Sequence, residues 1–221
     1  MAASSAGWAP ASCILVRAAA NRSGMRGRLS SSGANEGVMR LLIVAVVGSP
    51  QRGGRTGVAV QAVLRGAAAE GADTRLVELA DGPSAAEVGA VLEQADGVVF
   101  GSPTYRADIT AGLKGLLDAT PRGMWGEQSA PLQGKACATV LTGASDHHFL
   151  AVEKIRGILG GFFATQLLSP GLYLPSATFT EDAADLRDEP RRLAELHGRA
   201  LVELVTAVRS SKWLKDLRPL V

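Results

Sequence analysis

The chain has 221 residues, 47% of them apolar and 20% charged, which fits one globular domain with some tail and excludes a wholly disordered chain. The formal charge of +2 is unevenly spread: Arg17, Arg22, Arg26, Arg28 and Arg40 against Glu36 give residues 1–40 a charge of +4, and the remainder carries −2. The body is therefore not a basic nucleic-acid binder by composition. No apolar run reaches the roughly 18–20 residues of a membrane span, which argues against a membrane protein. Two cysteines, Cys13 and Cys137, give no disulfide framework and suit a reducing, cytoplasmic compartment. Adjacent histidines such as His147 and His148 diverge on a helix, which argues against a metal site.

Residues 1–39 are rich in Ala, Ser, Gly and Arg without a sustained period and read as a disordered extension. They fit either a transit-like segment or an over-called start, with translation beginning at Met25 or Met39. Residues 40–210 read as one domain and 211–221 as a tail. Leu41–Val47 is an unbroken apolar run, as expected of a strand buried on both faces. A helix over about 56–70 follows, with Ala59, Val60, Val63 and Ala67 on one face. Thr74–Leu79 reads as a strand, 84–95 as a helix through Val88, Val91 and Leu92, and Gly97–Phe100 as a third strand. Ile109, Leu113, Leu116 and Leu117 have helical spacing. Ala136–Leu141 reads as a strand, Phe149–Leu159 as a helix and Ala164–Leu168 as a fifth strand. A last helix over 190–208 is expected to face the core with Leu193, Leu196, Ala200, Leu204 and Val208. Strands alternating with helices in this way predict an α/β fold, a doubly wound five-stranded parallel sheet between two helical layers. The flavodoxin-like order 2-1-3-4-5 suits it, with a ligand at the carboxyl ends of the strands.

Three segments at those ends carry the chemistry. Gly48-Ser49-Pro50-Gln51-Arg52-Gly53-Gly54-Arg55-Thr56 runs from a buried strand into a helix. Its glycines let backbone amides approach a ligand, and the helix start favours an anion. Ser49 and Thr56 add hydroxyls, Arg52 and Arg55 add charge. The plain alternative is a turn with Thr56 as helix cap. A triphosphate loop G-x-x-x-x-G-K-[ST] would need Gly at 49 and Lys at 55, where Ser and Arg stand. After the third strand, Pro103 forces the chain out of the sheet and presents Thr104, Tyr105 and Arg106 at its edge, where a flat ring could lie. After the fourth, Thr142-Gly143-Ala144 leads into a polar run with backbone amides near the same place.

Together VVGSPQRGGRT (46–56), ADGVVFGSPTYRADITAGLKGLLD (95–118) and LTGASDHHFLAVEKIRGIL (141–159), with GLY at 171–173, resemble the NADPH-dependent FMN reductase family. The likeness is greatest to the flavin reductases of two-component alkanesulfonate monooxygenase systems. The resemblance implies a flavodoxin-like fold, FMN and NADPH as bound nucleotides, a flavin-dependent monooxygenase as partner, and a homodimer or homotetramer. It maps phosphate contacts to Ser49, Arg55 and Thr56, with Arg52 compensating for a hydroxyl missing at Gly54. Ring contacts map to Pro103, Thr104, Tyr105, Arg106, Thr142, Gly143 and Ala144. Where the alkanesulfonate reductases have a tyrosine after the third strand, this chain has Ile109. In such proteins hydride passes from nicotinamide to flavin, and no acid–base pair is expected. A quinone, azo or metal-oxyanion reductase, or a non-catalytic flavin carrier, would use the same fold.

Overall fold

The computed structural model describes residues 40–219, so the expectations for residues 1–39 lie outside it. Strand β1 (Leu42–Val47) is the apolar run, with five of its six residues buried. β2 (Asp73–Glu78), β3 (Gly97–Pro103) and β4 (Ala136–Gly143) join it in parallel. β5 (Gln166–Leu167) and β6 (Leu172–Pro175) both pair with β4, giving the order β2-β1-β3-β4-β5 that the alternation predicts. Successive side chains of β1 point to opposite faces. Ile43, Ala45 and Val47 pack with helices α1 (Arg55–Ala69) and α5 (Asp188–Ser210). Val44 and Val46 pack with α2 (Ala85–Gln94), α3 (Ala111–Ala119) and α4 (Ala151–Phe163). Among the described residues no helix is long and apolar enough to cross a membrane.

The structure corrects several sequence expectations. The fifth strand is laid down in two pieces: Cys137 pairs with Leu167, the chain leaves the sheet through Ser169 and Pro170, and pairing resumes at Val140 with Leu172. Proline has no amide to donate, so the ladder is interrupted there. The expected start of that strand, Ala164, is instead the left-handed residue that ends α4. β3 and β4 run further than their apolar stretches. Pro103 forms the last pair, opposite Thr142, so the proline leaves the sheet only after being part of it. Ile109 precedes α3, whose first turn is capped by the Thr110 hydroxyl accepting from Leu113 N at 3.3 Å. α4 begins at Ala151, after a 3-10 turn over Asp146–His148, rather than at Phe149.

Helix α5 is rotated from the expected face. Ala194, His197, Gly198, Leu201, Val202, Val205 and Val208 are buried, while Leu193 and Leu196 are exposed. The cause is a close crossing with α1. A Cβ on Gly66 would lie 1.9 Å from Glu195 O, and one on Gly198 would lie 1.9 Å from Val63 O. Only glycine permits that approach, and the approach fixes which face of α5 turns inward. The residues after α5 return to the start of β5, where Gln166 Nε2 donates to Leu214 O at 3.2 Å.

Candidate functional site

β1 delivers the chain to Gly48, whose N–H donates to Gly101 O at 2.7 Å. A Cβ at Gly48 would lie 2.6 Å from Leu113 Cβ, so only glycine fits between β1 and α3. Thr110 Oγ1 donates to Gly48 O at 2.6 Å, and Thr110 N donates to Ser102 Oγ at 3.1 Å. The cap of α3 thus ties the ends of β1 and β3 together. Beyond Gly48, the buried Ser49 folds the loop on itself: its Oγ accepts from Gln51 N at 3.1 Å and donates to Gln51 O at 2.9 Å. Gly53 takes the left-handed conformation, φ +64°, and its N–H donates to the Glu78 carboxylate at 3.2 and 3.3 Å. Gly54 starts α1 without any side-chain cap, and no acidic residue lies in the helix's first turn. The first amides of α1 and the positive end of its dipole are therefore offered to an anion.

The three segments are cross-braced. The Thr56 and Thr142 hydroxyls, both buried, are hydrogen-bonded at 2.7 Å. Thr104 N donates to Thr142 O at 2.7 Å. Arg55 Nη1 donates to Ser176 Oγ at 3.0 Å, and Ser176 Oγ donates to Gly143 O at 3.2 Å. The Arg55 guanidinium also lies 5.9 Å from the centroid of the Phe179 ring.

Tyr105-Arg106-Ala107-Asp108 closes a tight turn through Tyr105 N to Asp108 O at 2.9 Å and Asp108 N to Tyr105 O at 3.1 Å. Arg106 (φ 51°) and Ala107 (φ 61°) are both left-handed, a conformation that costs an L residue about 1–2 kcal/mol. Asp108 holds the turn: it accepts from Ile109 N at 2.8 Å and from Lys154 Nζ at 3.1 Å. The result lifts Tyr105, 53% exposed, onto the rim. Arg106 makes no hydrogen bond or ion pair among the described residues.

Tyr173 sets the third segment. A Cβ on Gly143 would lie 1.9 Å from its hydroxyl oxygen, and that hydroxyl donates to Ser145 O at 2.7 Å. Burial pushes the phenol above its ordinary range. The neighbouring Thr104 hydroxyl opposes that shift, yet Thr104 Oγ1 is buried without a hydrogen bond of good geometry. Ala144 is exposed beside it.

Ser49, Arg55, Thr56, Pro103, Thr104, Tyr105, Thr142, Gly143 and Ala144 thus come to one edge of the sheet. Arg52 stands apart, paired with Asp81 at 3.1 Å on the β2 side. Sequence reasoning missed Glu78, Ser102, Thr110, Tyr173 as the pillar behind Gly143, and Ser176. A threonine before AGLKGLL is a readable helix cap, and Tyr173 closes the GLY tripeptide; Glu78 and Ser176 carry no local signal.

The sequence model of the NADPH-dependent FMN reductase family matches residues 41–179. This chain belongs to that family. The match covers all three segments and β6. An FMN reductase (NADPH) of Escherichia coli (strain K12) is 35% identical over 78 residues, 35% of this chain and 37% of that protein. The NADH-dependent FMN reductase SfnF of Pseudomonas putida is 34% identical over 90 residues, 41% and 45% of the two chains. The aligned stretches thus span less than half the length of either relative. The fold matches that of an NADH:FMN oxidoreductase (EMOB) solved in its apo form, with a TM-score of 0.64 at 21% identity over 79% of this chain and 94% of that one. An archaeal flavodoxin matches at a TM-score of 0.56, 18% identity, and 75% and 99% of the two chains.

Proposed function

We propose that this FMN reductase family member transfers hydride from NADPH to FMN. The observation that carries the reading is the braced rim itself: an uncapped helix start with no acidic residue in its own first turn, pinned to the end of β4 by the buried Thr56–Thr142 hydroxyl pair, with the end of β3 bonded to β4 in turn. Phosphate suits that place: the helix-start amides, the Thr56 hydroxyl and the charge of Arg55, with that of Arg52 from the β2 side, favour an anion, and the Ser49 hydroxyl, donating to Gln51 O, shapes the loop that presents them. When Thr142 donates to Thr56 Oγ1, the Thr56 proton is left free to donate to a phosphate oxygen. The flat ring suits Pro103, Thr104, Tyr105 and Arg106 on one side and Thr142, Gly143 and Ala144 on the other. The orphaned Thr104 Oγ1 is a polar group that such a ring can satisfy.

Bound FMN supplies the hydride acceptor and NADPH the hydride. The chain's part is to orient them: the strained Arg106–Ala107 turn holds Tyr105 up as a stacking wall, and the Tyr173 pillar holds the Gly143 and Ala144 amides forward. Release of reduced flavin to a flavin-dependent monooxygenase belongs to this reading, as does a homo-oligomer, which the exposed Leu193 and Leu196 of α5 support. The buried, unpaired Cys137 accords with a cytoplasmic setting. Titration of the purified protein with FMN, following quenching of flavin fluorescence and NADPH oxidation together, tests it. Saturable binding with FMN-dependent turnover is expected; absence of both refutes the reading.

A further inference from the structure

β2 ends on Glu78, and its carboxylate is turned away from solvent, the residue being 8% exposed. Its two oxygens lie 3.2 and 3.3 Å from Gly53 N, in the loop that leads into α1. Oε1 also reaches the first turn of that helix, where a Cβ on Gly57 would be 3.2 Å away. A fixed carboxylate therefore occupies one flank of the amide-rich helix start described above. It takes up an N–H that a glycine loop would otherwise turn toward an anion. Neither cation of the loop pairs with Glu78: Arg52 pairs with Asp81 at 3.1 Å, and Arg55 donates to Ser176 at 3.0 Å on the opposite side.

We infer that Glu78 is a specificity-determining residue that loosens the hold on the flavin phosphate, and so reduces the preference for phosphorylated over unphosphorylated flavin. The inference rests on the FMN reading of the site. A carboxylate and a phosphate at the same helix end repel each other, and Gly53 N–H cannot serve both at full strength. Charges several ångströms apart near a protein surface change affinity by about tenfold through this repulsion. Glu78 is thus a positioning residue with two effects: it fixes Gly53 in its left-handed conformation, and it weakens the anion site that Gly53 belongs to.

Glu78→Gln separates the two, because the amide oxygen still accepts from Gly53 N while the charge is gone. FMN and riboflavin are titrated into wild type, Glu78→Gln and Glu78→Asp, following flavin fluorescence at low and high salt. Melting temperatures of the flavin-free proteins report the state of the loop. Glu78→Gln is expected to bind FMN about tenfold more tightly with riboflavin affinity little changed, and the gain shrinks in high salt as the repulsion is screened. Glu78→Asp, which keeps the charge, is expected to keep the wild-type ratio of FMN to riboflavin affinity. FMN binding with the same ratio in all three proteins overturns the inference and leaves the function standing. A ratio that moves equally in Gln and Asp variants also overturns it, since geometry rather than charge would then be responsible. Binding of neither flavin by any of the proteins refutes the FMN reading and the inference with it.

Discussion

The Thr56–Thr142 bond joins the helix start to the end of β4, and its energetics are open to a direct test. The two residues are 2% and 4% exposed and their hydroxyls lie 2.7 Å apart. Thr56→Val or Thr142→Val removes one partner and strands the other hydroxyl out of water, which costs about 1–3 kcal/mol. Replacing both leaves no polar group to strand, so the double variant is expected to lose about 1 kcal/mol, the net worth of a typical hydrogen bond. With singles near 1.5 kcal/mol each, the coupling energy in the double-mutant cycle is about 2 kcal/mol. Urea unfolding of the four proteins, with the slope unchanged among them, measures it. FMN affinity is expected to move differently: it stays weak in the double variant, which lacks the Thr56 donor, although that variant is no less stable than either single variant. Single-variant losses that simply add, to within about 0.5 kcal/mol, would refute the claim that these hydroxyls satisfy one another.

Two further outcomes follow from the packing. Gly198→Ala places a Cβ 1.9 Å from Val63 O and 2.7 Å from Ala67 N, both backbone atoms, so α1 and α5 must separate. A loss of about 3 kcal/mol is expected, lowering the melting temperature by roughly 6–12 °C, and a variant that melts like wild type would show that the helices do not cross this closely. Burial pushes the Cys137 thiol up to about 12, against a weaker opposing pull from Thr165. In a Cys13→Ser background it is therefore expected to resist a disulfide reagent at pH near 8 until the protein unfolds, because the reactive thiolate is scarce and covered. Rapid modification of the native protein would contradict that burial.

The sheet order was legible because a strand covered on both faces must be apolar throughout, and Leu42–Val47 and Val98–Phe100 are. Legibility failed at the ends of those strands, where the site is. Ser102, Pro103, Thr142 and Gly143 pair in the sheet but read as loop, because polar and small side chains and a proline replace the apolar ones there. Helix α5 failed for another reason. Its sequence has two apolar stripes, and the more hydrophobic one, with Leu193 and Leu196, lost to the stripe with Ala194 and Gly198. Hydrophobicity marks what can be buried, whereas close approach of helix backbones selects small residues, and here the latter decides the rotation. The bonds that assemble the site were beyond any local pattern: Thr56 and Thr142 are 86 residues apart, Gly53 and Glu78 are 25 apart. Each residue type at the rim could be named from its segment, but not its partner.

Those partners bear on how the site works. Thr110 on Gly48 and Ser102, Thr56 on Thr142, Ser176 on Gly143 and Tyr173 on Ser145 all fasten the rim through the chain's own groups. None of these bonds needs a nucleotide to complete it. Little ordering of the rim then remains to be done when a flavin binds, and little order is lost when it leaves. Binding energy that is not spent on folding loops favours fast exchange only if the contacts themselves are moderate. Glu78 supplies that moderation in the phosphate loop, where Gly53 is satisfied internally. Under the proposed function, a preformed rim with an internal anion suits a flavin that is taken up, reduced and released rather than kept as a permanent group.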